Sequence, residues 1–128
     1  MIRAASIALL AAPAVAQEID CTRAVTQVEM TACADRAYRS ADADLNAAYR
    51  EALDRARRLD EGGHAAAVPN AVLLRDAQRA WMPFRDAACS AEAGTWGNGS
   101  GASVAYLWCL ERLTVDRTRG LDAYGQEK

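Results

Sequence analysis

The stretch that decides the fold runs from residue 26 to residue 59 and reads TQVEMTACADRAYRSADADLNAAYREALDRARRL. It opens with Thr26 and Glu29, a T-x-x-E pattern in which each side chain accepts a hydrogen bond from the other residue's backbone amide. The pattern predicts a single helix of about 50 Å, ended by Gly62 and Gly63. Apolar residues recur every three to four positions, the period of a helix with one buried face: Val28, Cys33, Tyr38, Ala41, Leu45, Tyr49, Ala52, Leu53, Ala56 and Leu59.

A second helix is predicted to begin after Pro69, with Asn70 as its N-cap, and to end near residues 93–94. Pro83 falls inside this pattern, and because proline lacks an amide hydrogen we expect a kink there. The predicted buried stripe consists of Leu74, Ala77, Trp81, Phe84 and Ala88.

A third helix follows the glycine-rich loop GTWGNGSGAS, residues 94–103, and is expected to start near Gly101 or Ser103. No stretch of the chain shows strand-like alternation. We therefore predict an all-α fold, a small antiparallel bundle of three main helices. The buried stripe of the third helix is predicted to be Tyr106, Leu107, Leu110, Leu113, Arg117 and Leu121.

The N-terminus has the pattern of a cleavable export signal. Arg3 precedes a short apolar run, and Ala14 and Ala16 form an A-x-A site before Gln17. We predict that residues 1–16 are a signal peptide, that residues 17–128 form one periplasmic or secreted domain, and that it has no membrane anchor. Removing Arg3 changes the net charge from −2 to −3. This mildly acidic balance argues against nucleic acid as a partner.

Four cysteines lie downstream of that signal, an even number that indicates two disulfides in an exported chain. Three pairings are possible. Cys21 precedes the first helix and Cys33 lies two turns into it, whereas Cys89 and Cys109 flank the glycine-rich loop. We therefore expect the pairs Cys21–Cys33 and Cys89–Cys109. A four-cysteine metal site is disfavoured because no C-x-x-C occurs.

Several polar residues lie on or beside the apolar stripes, where an unpaired polar group costs roughly 1–3 kcal/mol. One interpretation is an interhelical hydrogen-bond network, in which Arg85 pairs with Asp42 or Glu111. The other is a polar pocket for a ligand. The residues concerned are Asn46, Gln78, Arg85, Thr114 and Arg117.

The tryptophans divide into two groups. Trp81 and Trp108 are expected in the core, whereas Trp96 lies among glycines in the loop. Trp96 either packs over the end of the helical hairpin or is an exposed anchor for a partner, since aromatic residues dominate binding hot spots.

Catalysis is not expected. His64, the single histidine, lies in a loop far in sequence from any candidate nucleophile, so a Ser-His-Asp triad is improbable. Four bridged cysteines offer no nucleophile, and Asp42 and Asp44 point to different helix faces. No P-loop, H-E-x-x-H or G-x-G-x-x-G motif is present. We expect no cofactor and no metal.

Three phrases resemble one family: DADLNAAY at 42–49, LRDAQRAW with FRDAAC at 74–89, and CLERLTVDR at 109–117. Together with the four cysteines they are similar to the LprI-type family of exported bacterial domains, whose namesake is a lysozyme-inhibitor lipoprotein. The resemblance implies a small helical, disulfide-bonded, exported domain, and lysozyme inhibition is associated with the namesake of the family. We therefore predict a binding protein that inhibits a lysozyme-like muramidase by steric occlusion. The alternative is a structural or adaptor module of the envelope. This chain departs from the namesake in lacking a lipid-attachment cysteine and in carrying the glycine-rich loop.

Overall fold

The computed structural model describes residues 18–64 and 67–126. Three α-helices make up this part of the chain: α1 (Gln27–Glu61), α2 (Asn70–Gly94) and α3 (Ala102–Asp122). Neither described range contains a β-strand. The prediction of an all-α fold with three main helices is therefore confirmed. The predicted signal peptide, residues 1–16, lies outside the described residues.

Both hydrogen bonds of the predicted capping box are formed at the start of α1. Glu29 N donates to Thr26 Oγ1 at 3.2 Å, and Thr26 N donates to Glu29 Oε2 at 3.0 Å. From there α1 runs for 35 residues to Glu61, and its C-cap is Gly62, whose amide donates to Arg58 O. The two ends of the longest helix therefore lie where local sequence signals predict them.

Hydrogen bonds between helix ends show how the three helices are oriented relative to one another. Arg55 Nη2 donates to Leu121 O at 2.8 Å, so the C-terminal end of α1 lies beside that of α3. The Asp60 carboxylate accepts from the amides of Asn70 and Ala71, the first residues of α2, at 2.7 and 3.1 Å. α2 therefore begins where α1 and α3 end. It follows that α1 and α3 are parallel and α2 runs antiparallel to both.

Small side chains line the contact between α1 and α3. The distance between packed helices depends on the side chains at their contact, so small side chains allow a close approach. In agreement with this, α1 and α3 form the most extensive helix pair of the bundle. Leu74 from α2 and Leu121 from α3 complete the core against Leu45. α2 packs less extensively on its neighbours, which leaves one of its faces open. The buried positions of α1 are Ala34, Ala41, Leu45, Ala48, Ala52 and Ala56.

The buried face of α2 differs from the predicted stripe. Ala77 is exposed, and Phe84 is 62% exposed. Gln78 and Arg85 are buried instead, because their polar groups find hydrogen-bond partners on the neighbouring helices. With these two side chains turned inward, Phe84 must point outward. The buried positions of α2 are Ala71, Leu74, Gln78, Arg85 and Cys89.

Two predictions about helix ends, at Val28 and at Asn70, are also wrong. Val28 is exposed, since no other helix covers that side of the first turn of α1. Asn70 is the first residue of α2 and not its N-cap; Pro69 occupies the cap position, and the Asp60 carboxylate supplies the capping oxygens from α1. α2 continues as a helix through Pro83, where a kink was the expectation.

The cysteines pair as predicted. Cys21 is bonded to Cys33, and Cys89 is bonded to Cys109. The second pair is buried in a cluster with Leu110, whereas Cys21 is exposed. One disulfide therefore belongs to the core, and the other fastens the N-terminal arm to α1.

Removing the Cys89–Cys109 disulfide is expected to destabilise the domain more than removing Cys21–Cys33. In the chain-entropy model, a disulfide that closes a short loop contributes ~3 kcal/mol to stability. The two loops span 20 and 12 residues, and this difference in length changes the contribution by only about 0.5 kcal/mol. The larger part of the difference comes from the packing lost in the core. Urea unfolding of the two double-alanine variants measures it, and a greater loss at Cys21–Cys33 would contradict the prediction.

Replacing Asp60 with alanine is expected to lower stability at neutral pH and to have little effect in acid. Partial burial by itself raises the pKa of Asp60, but the amides of Ala71 and Asn70 outweigh it and hold the pKa below its usual value. The stabilisation is therefore present above the unfolded pKa of about 4 and is lost as pH falls through the folded value. Thermal melts across this range test it, with the exposed Asp54→Ala as control.

Candidate functional site at the tryptophan end

One end of the bundle brings together the N-terminus of α1, the C-terminus of α2 and the N-terminus of α3. Both disulfides lie at this end. Cys21–Cys33 holds the N-terminal arm against α1, and Cys89–Cys109 joins α2 to α3 across the glycine-rich loop. The backbone around this end is therefore covalently constrained on two sides.

Trp108 lies at this end and not in the core, where it was predicted. Its side chain is 56% exposed, because the buried face of α3 passes through Cys109 and Leu110 on one side of it. A signal for this was present in the sequence: Trp108 is outside the stripe that runs through Leu107 and Leu110 at helical spacing. Trp81, by contrast, is half-buried and packs against the core as predicted.

Trp96 is also 56% exposed, but its ring is supported on one side. A Cβ placed on Gly101 would lie 2.7 Å from Trp96 Cε3, so the ring rests directly against the Gly101 backbone. Trp96 N donates to Ala93 O at 3.0 Å, and Gly99 N donates to Trp96 O at 3.1 Å, which ties the loop to the end of α2. The side chain thus combines features of both sequence interpretations: it packs on the hairpin end and remains largely accessible.

The two exposed tryptophans line one cleft of about 150 Å³. This volume is well below the 300–1,000 Å³ typical of small-molecule pockets, so the cleft suits a single side chain better than a cofactor. We call its lining the tryptophan end. Its members come from α1, the loop and α3: Gln27, Met30, Trp96, Gly101, Val104, Ala105 and Trp108.

Trp108 separates this cleft from two neighbouring depressions. One, of about 270 Å³, lies against the N-terminal arm and is lined by Cys21, Met30 and Cys33 among others. The other, of about 520 Å³, is lined mostly by charged residues, among them Glu92 and Arg112, which form a salt bridge at 2.7 Å. Trp108 is therefore an apolar ridge beside a rim of paired charges.

Among the described residues, the most deeply buried charged side chain is that of Arg85, which is 5% exposed. Its Nε lies 2.9 Å from Asp86 Oδ1, and its Nη1 lies 3.5 Å from Asp42 Oδ1 and 3.4 Å from Thr114 Oγ1. Burial by itself would lower the pKa of Arg85, but the hydrogen bond and charge of Asp86 and the charge of Asp42 raise it. The guanidinium also lies over the Trp81 ring, 5.2 Å from its centroid. Glu111, the other predicted acid, lines the depression beside Trp108 instead.

The remaining polar residues divide between the interior and the surface. Arg117 Nε donates to Gln78 Oε1 at 3.0 Å, joining α3 to α2, and burial lowers the pKa of Arg117. Arg117 Nη2 is buried without a hydrogen-bond partner among the described residues. Asn46 is exposed, and its Nδ2 donates within α1 to the carbonyl and carboxylate of Asp42. Asn46 therefore lies outside the bundle interior, because Asp42 supplies both of its partners on the α1 surface.

The family model described as Lysozyme inhibitor LprI matches residues 20–121. The chain belongs to the LprI family.

Two further proteins are similar to this LprI domain, one in sequence and one in fold. A Rhizobium meliloti protein, itself described as uncharacterized, is 40% identical over 115 residues, covering 86% of this chain and 83% of the relative. The crystal structure of a DUF1311 family protein from Pseudomonas putida KT2440 is similar in fold, with a TM-score of 0.65 and 24% identity, over 78% of this chain and 94% of that one.

Within residues 18–64 and 67–126, no group of three or more metal-ligating side chains comes together. In the same ranges no helix has the length and apolar character needed to cross a membrane. His64 is exposed in the loop at the opposite end from the tryptophans.

Arg85→Met is expected to lower the stability of this LprI domain by roughly 1–3 kcal/mol, since it keeps the volume but removes charge-assisted hydrogen bonds. We expect less than the usual 3–5 kcal/mol for breaking a buried pair, because Asp42 and Asp86 are partly exposed and can rehydrate. Chemical denaturation measures the change. Arg79→Met is the control, since its pair with Asp76 is exposed; equal effects of the two variants would contradict the network.

Proposed function

We propose that this LprI domain is an exported, non-catalytic protein that binds a lysozyme-like muramidase and inhibits it by steric occlusion of the substrate cleft. The contact surface in this proposal is the tryptophan end. The observation that carries the proposal is the pair of exposed tryptophans on a disulfide-constrained surface, in a chain of a family described as lysozyme inhibitors.

The composition of the surface supports a protein partner. Binding energy at protein interfaces is concentrated in a few aromatic side chains, surrounded by a polar rim that excludes water. Trp96 and Trp108 supply the aromatic residues, and the Glu92–Arg112 salt bridge supplies part of such a rim. The cleft between the tryptophans is large enough for one side chain of the partner.

Rigidity of the surface supports tight binding. Ordering a loop on binding costs free energy, and a loop already held in place avoids that cost. The glycine-rich loop is closed at its base by Cys89–Cys109, and Trp96 is seated against Gly101. The partner therefore meets tryptophans that are already supported by the fold.

The proposed location rests on the cysteines and the N-terminal pattern. Two disulfides fit an oxidising compartment such as the periplasm or the exterior. Cleavage after Ala16 would release a domain with a net charge of −3, which weakly favours encounter with a basic enzyme.

The test is a cell-wall turbidity assay with the mature chain and several lysozymes. Trp96→Ala and Trp108→Ala are each expected to weaken inhibition by roughly tenfold or more, because hot-spot truncations cost at least ~2 kcal/mol. Met82→Ala, exposed on α2, is the matched control and should leave inhibition unchanged.

The outcomes separate the parts of the proposal. If micromolar concentrations of the mature chain do not slow cell-wall lysis by any of the lysozymes, the inhibitor function is wrong and the envelope adaptor alternative is favoured. If lysozyme is inhibited but both tryptophan variants act like the wild type, the function stands and the contact surface lies elsewhere.

A further inference from the structure

The two disulfides of the domain differ in their access to solvent. Cys89 and Cys109 are 0% and 2% exposed and lie in the core cluster with Leu110. Cys21 is exposed and Cys33 is partly buried. Exposed disulfides are reduced more readily than buried ones, because an attacking thiolate must reach one of the two sulfurs. A reductant can therefore approach the first pair through Cys21, whereas the folded bundle shields the second pair.

The N-terminal arm, residues 18–24, depends on the accessible disulfide for its position. No residue of the arm is buried. Arg36 Nη2 donates to Ile19 O at 3.3 Å, and Arg36 Nη1 lies 3.9 Å from Glu18 Oε1, with both charged side chains largely exposed. Exposed ion pairs contribute little to stability. The covalent bond is therefore the main link between the arm and α1.

The arm also forms one wall of the depression beside Trp108. Cys21 and Ala24 line this space of about 270 Å³ from the arm, Cys33 lines it from α1, and Trp108 lines it from α3. Moving the arm away would remove that wall and open the depression to solvent. The surface next to Trp108 thus depends on whether the disulfide is closed.

We propose that Cys21–Cys33 is a site of thiol–disulfide exchange with a dithiol reductant, and that its opening releases the arm from Trp108 while the bundle stays folded. A thiolate of the reductant attacks Cys21 Sγ and forms a mixed disulfide, and Cys33 leaves as a thiolate and takes up a proton. The second thiol of the reductant attacks the mixed disulfide and releases Cys21. The reductant ends as a disulfide, and its two electrons and two protons are now on the two cysteine thiols.

The contacts that hold the bundle together do not involve this pair. The capping box of Thr26 and Glu29 starts α1 after the arm has ended. Arg85 and the buried Cys89–Cys109 bond orient α2, and both lie outside the arm. Reduction of Cys21–Cys33 therefore changes the surface beside Trp108 without unfolding the helices. The proposal goes beyond the inhibitor function, because it concerns the chemistry of the disulfide and not the contact with lysozyme.

Reduction of the mature chain by dithiothreitol under native conditions tests the exchange. After alkylation of free thiols and peptide mapping, Cys21 and Cys33 are expected to be modified at a dithiothreitol concentration roughly tenfold or more below that needed for Cys89 and Cys109. In urea, which unfolds the core, the two pairs should open at similar concentrations, and a preference that persists there would count against burial as its cause. Opening of Cys89–Cys109 at the same or a lower concentration in the native chain, or no opening of Cys21–Cys33 before unfolding, would overturn the proposal.

Backbone ¹⁵N relaxation tests the release of the arm. On reduction the order parameters of residues 18–24 are expected to fall from about 0.85, the value of rigid backbone, to below about 0.6, whereas those of α1 stay unchanged. The double variant Cys21→Ser with Cys33→Ser should give the same result without reductant and keep the helical circular dichroism of the wild type. An arm that stays ordered in either form would show that other contacts hold it, and would refute the proposal. Neither experiment uses lysozyme, so the exchange and the inhibitor function fail independently.

Discussion

The rotation of α2 about its own axis is the constraint on which the rest of the structure depends. Arg85 holds that rotation through Thr114 on α3 and Asp42 on α1, and the Cys89–Cys109 bond holds it one turn later. A buried guanidinium is stable only with its partners in place, so other rotations of α2 are costly. The same rotation brings Gln78 to Arg117 and turns Phe84 outward.

The two ends of the bundle are held by different interactions. At the end where α2 begins, charged side chains complete the helix termini: Asp60 accepts from the first amides of α2, and Arg55 donates to the last carbonyls of α3. Such contacts satisfy groups that the helices cannot satisfy themselves. At the tryptophan end two disulfides hold the chain segments together, and Trp96 and Trp108 remain exposed. The division leaves one end closed and polar, and the other apolar and accessible.

Much of the fold is predictable because its signals are local. The Thr26–Glu29 capping box and the stop at Gly62 each depend on a few neighbouring residues, and both are formed as the sequence predicts. The errors at Ala77, Phe84 and Trp108 have a common origin. Apolar character alone predicts burial at these positions, whereas two polar residues of α2 have partners that hold them inward, and the buried face of α3 lies to one side of Trp108.

The helices, their order, the pairing of the cysteines and the family are all predictable from the amino-acid sequence, because helix ends and short covalent loops depend on residues close together in the chain. Which face of each helix is buried is seen first in the tertiary structure. That choice depends on contacts between residues such as Arg85 and Asp42, 43 positions apart, whose energies no local pattern contains. The cleft between Trp96 and Trp108 and the exposure of Phe84 on α2 are both consequences of it.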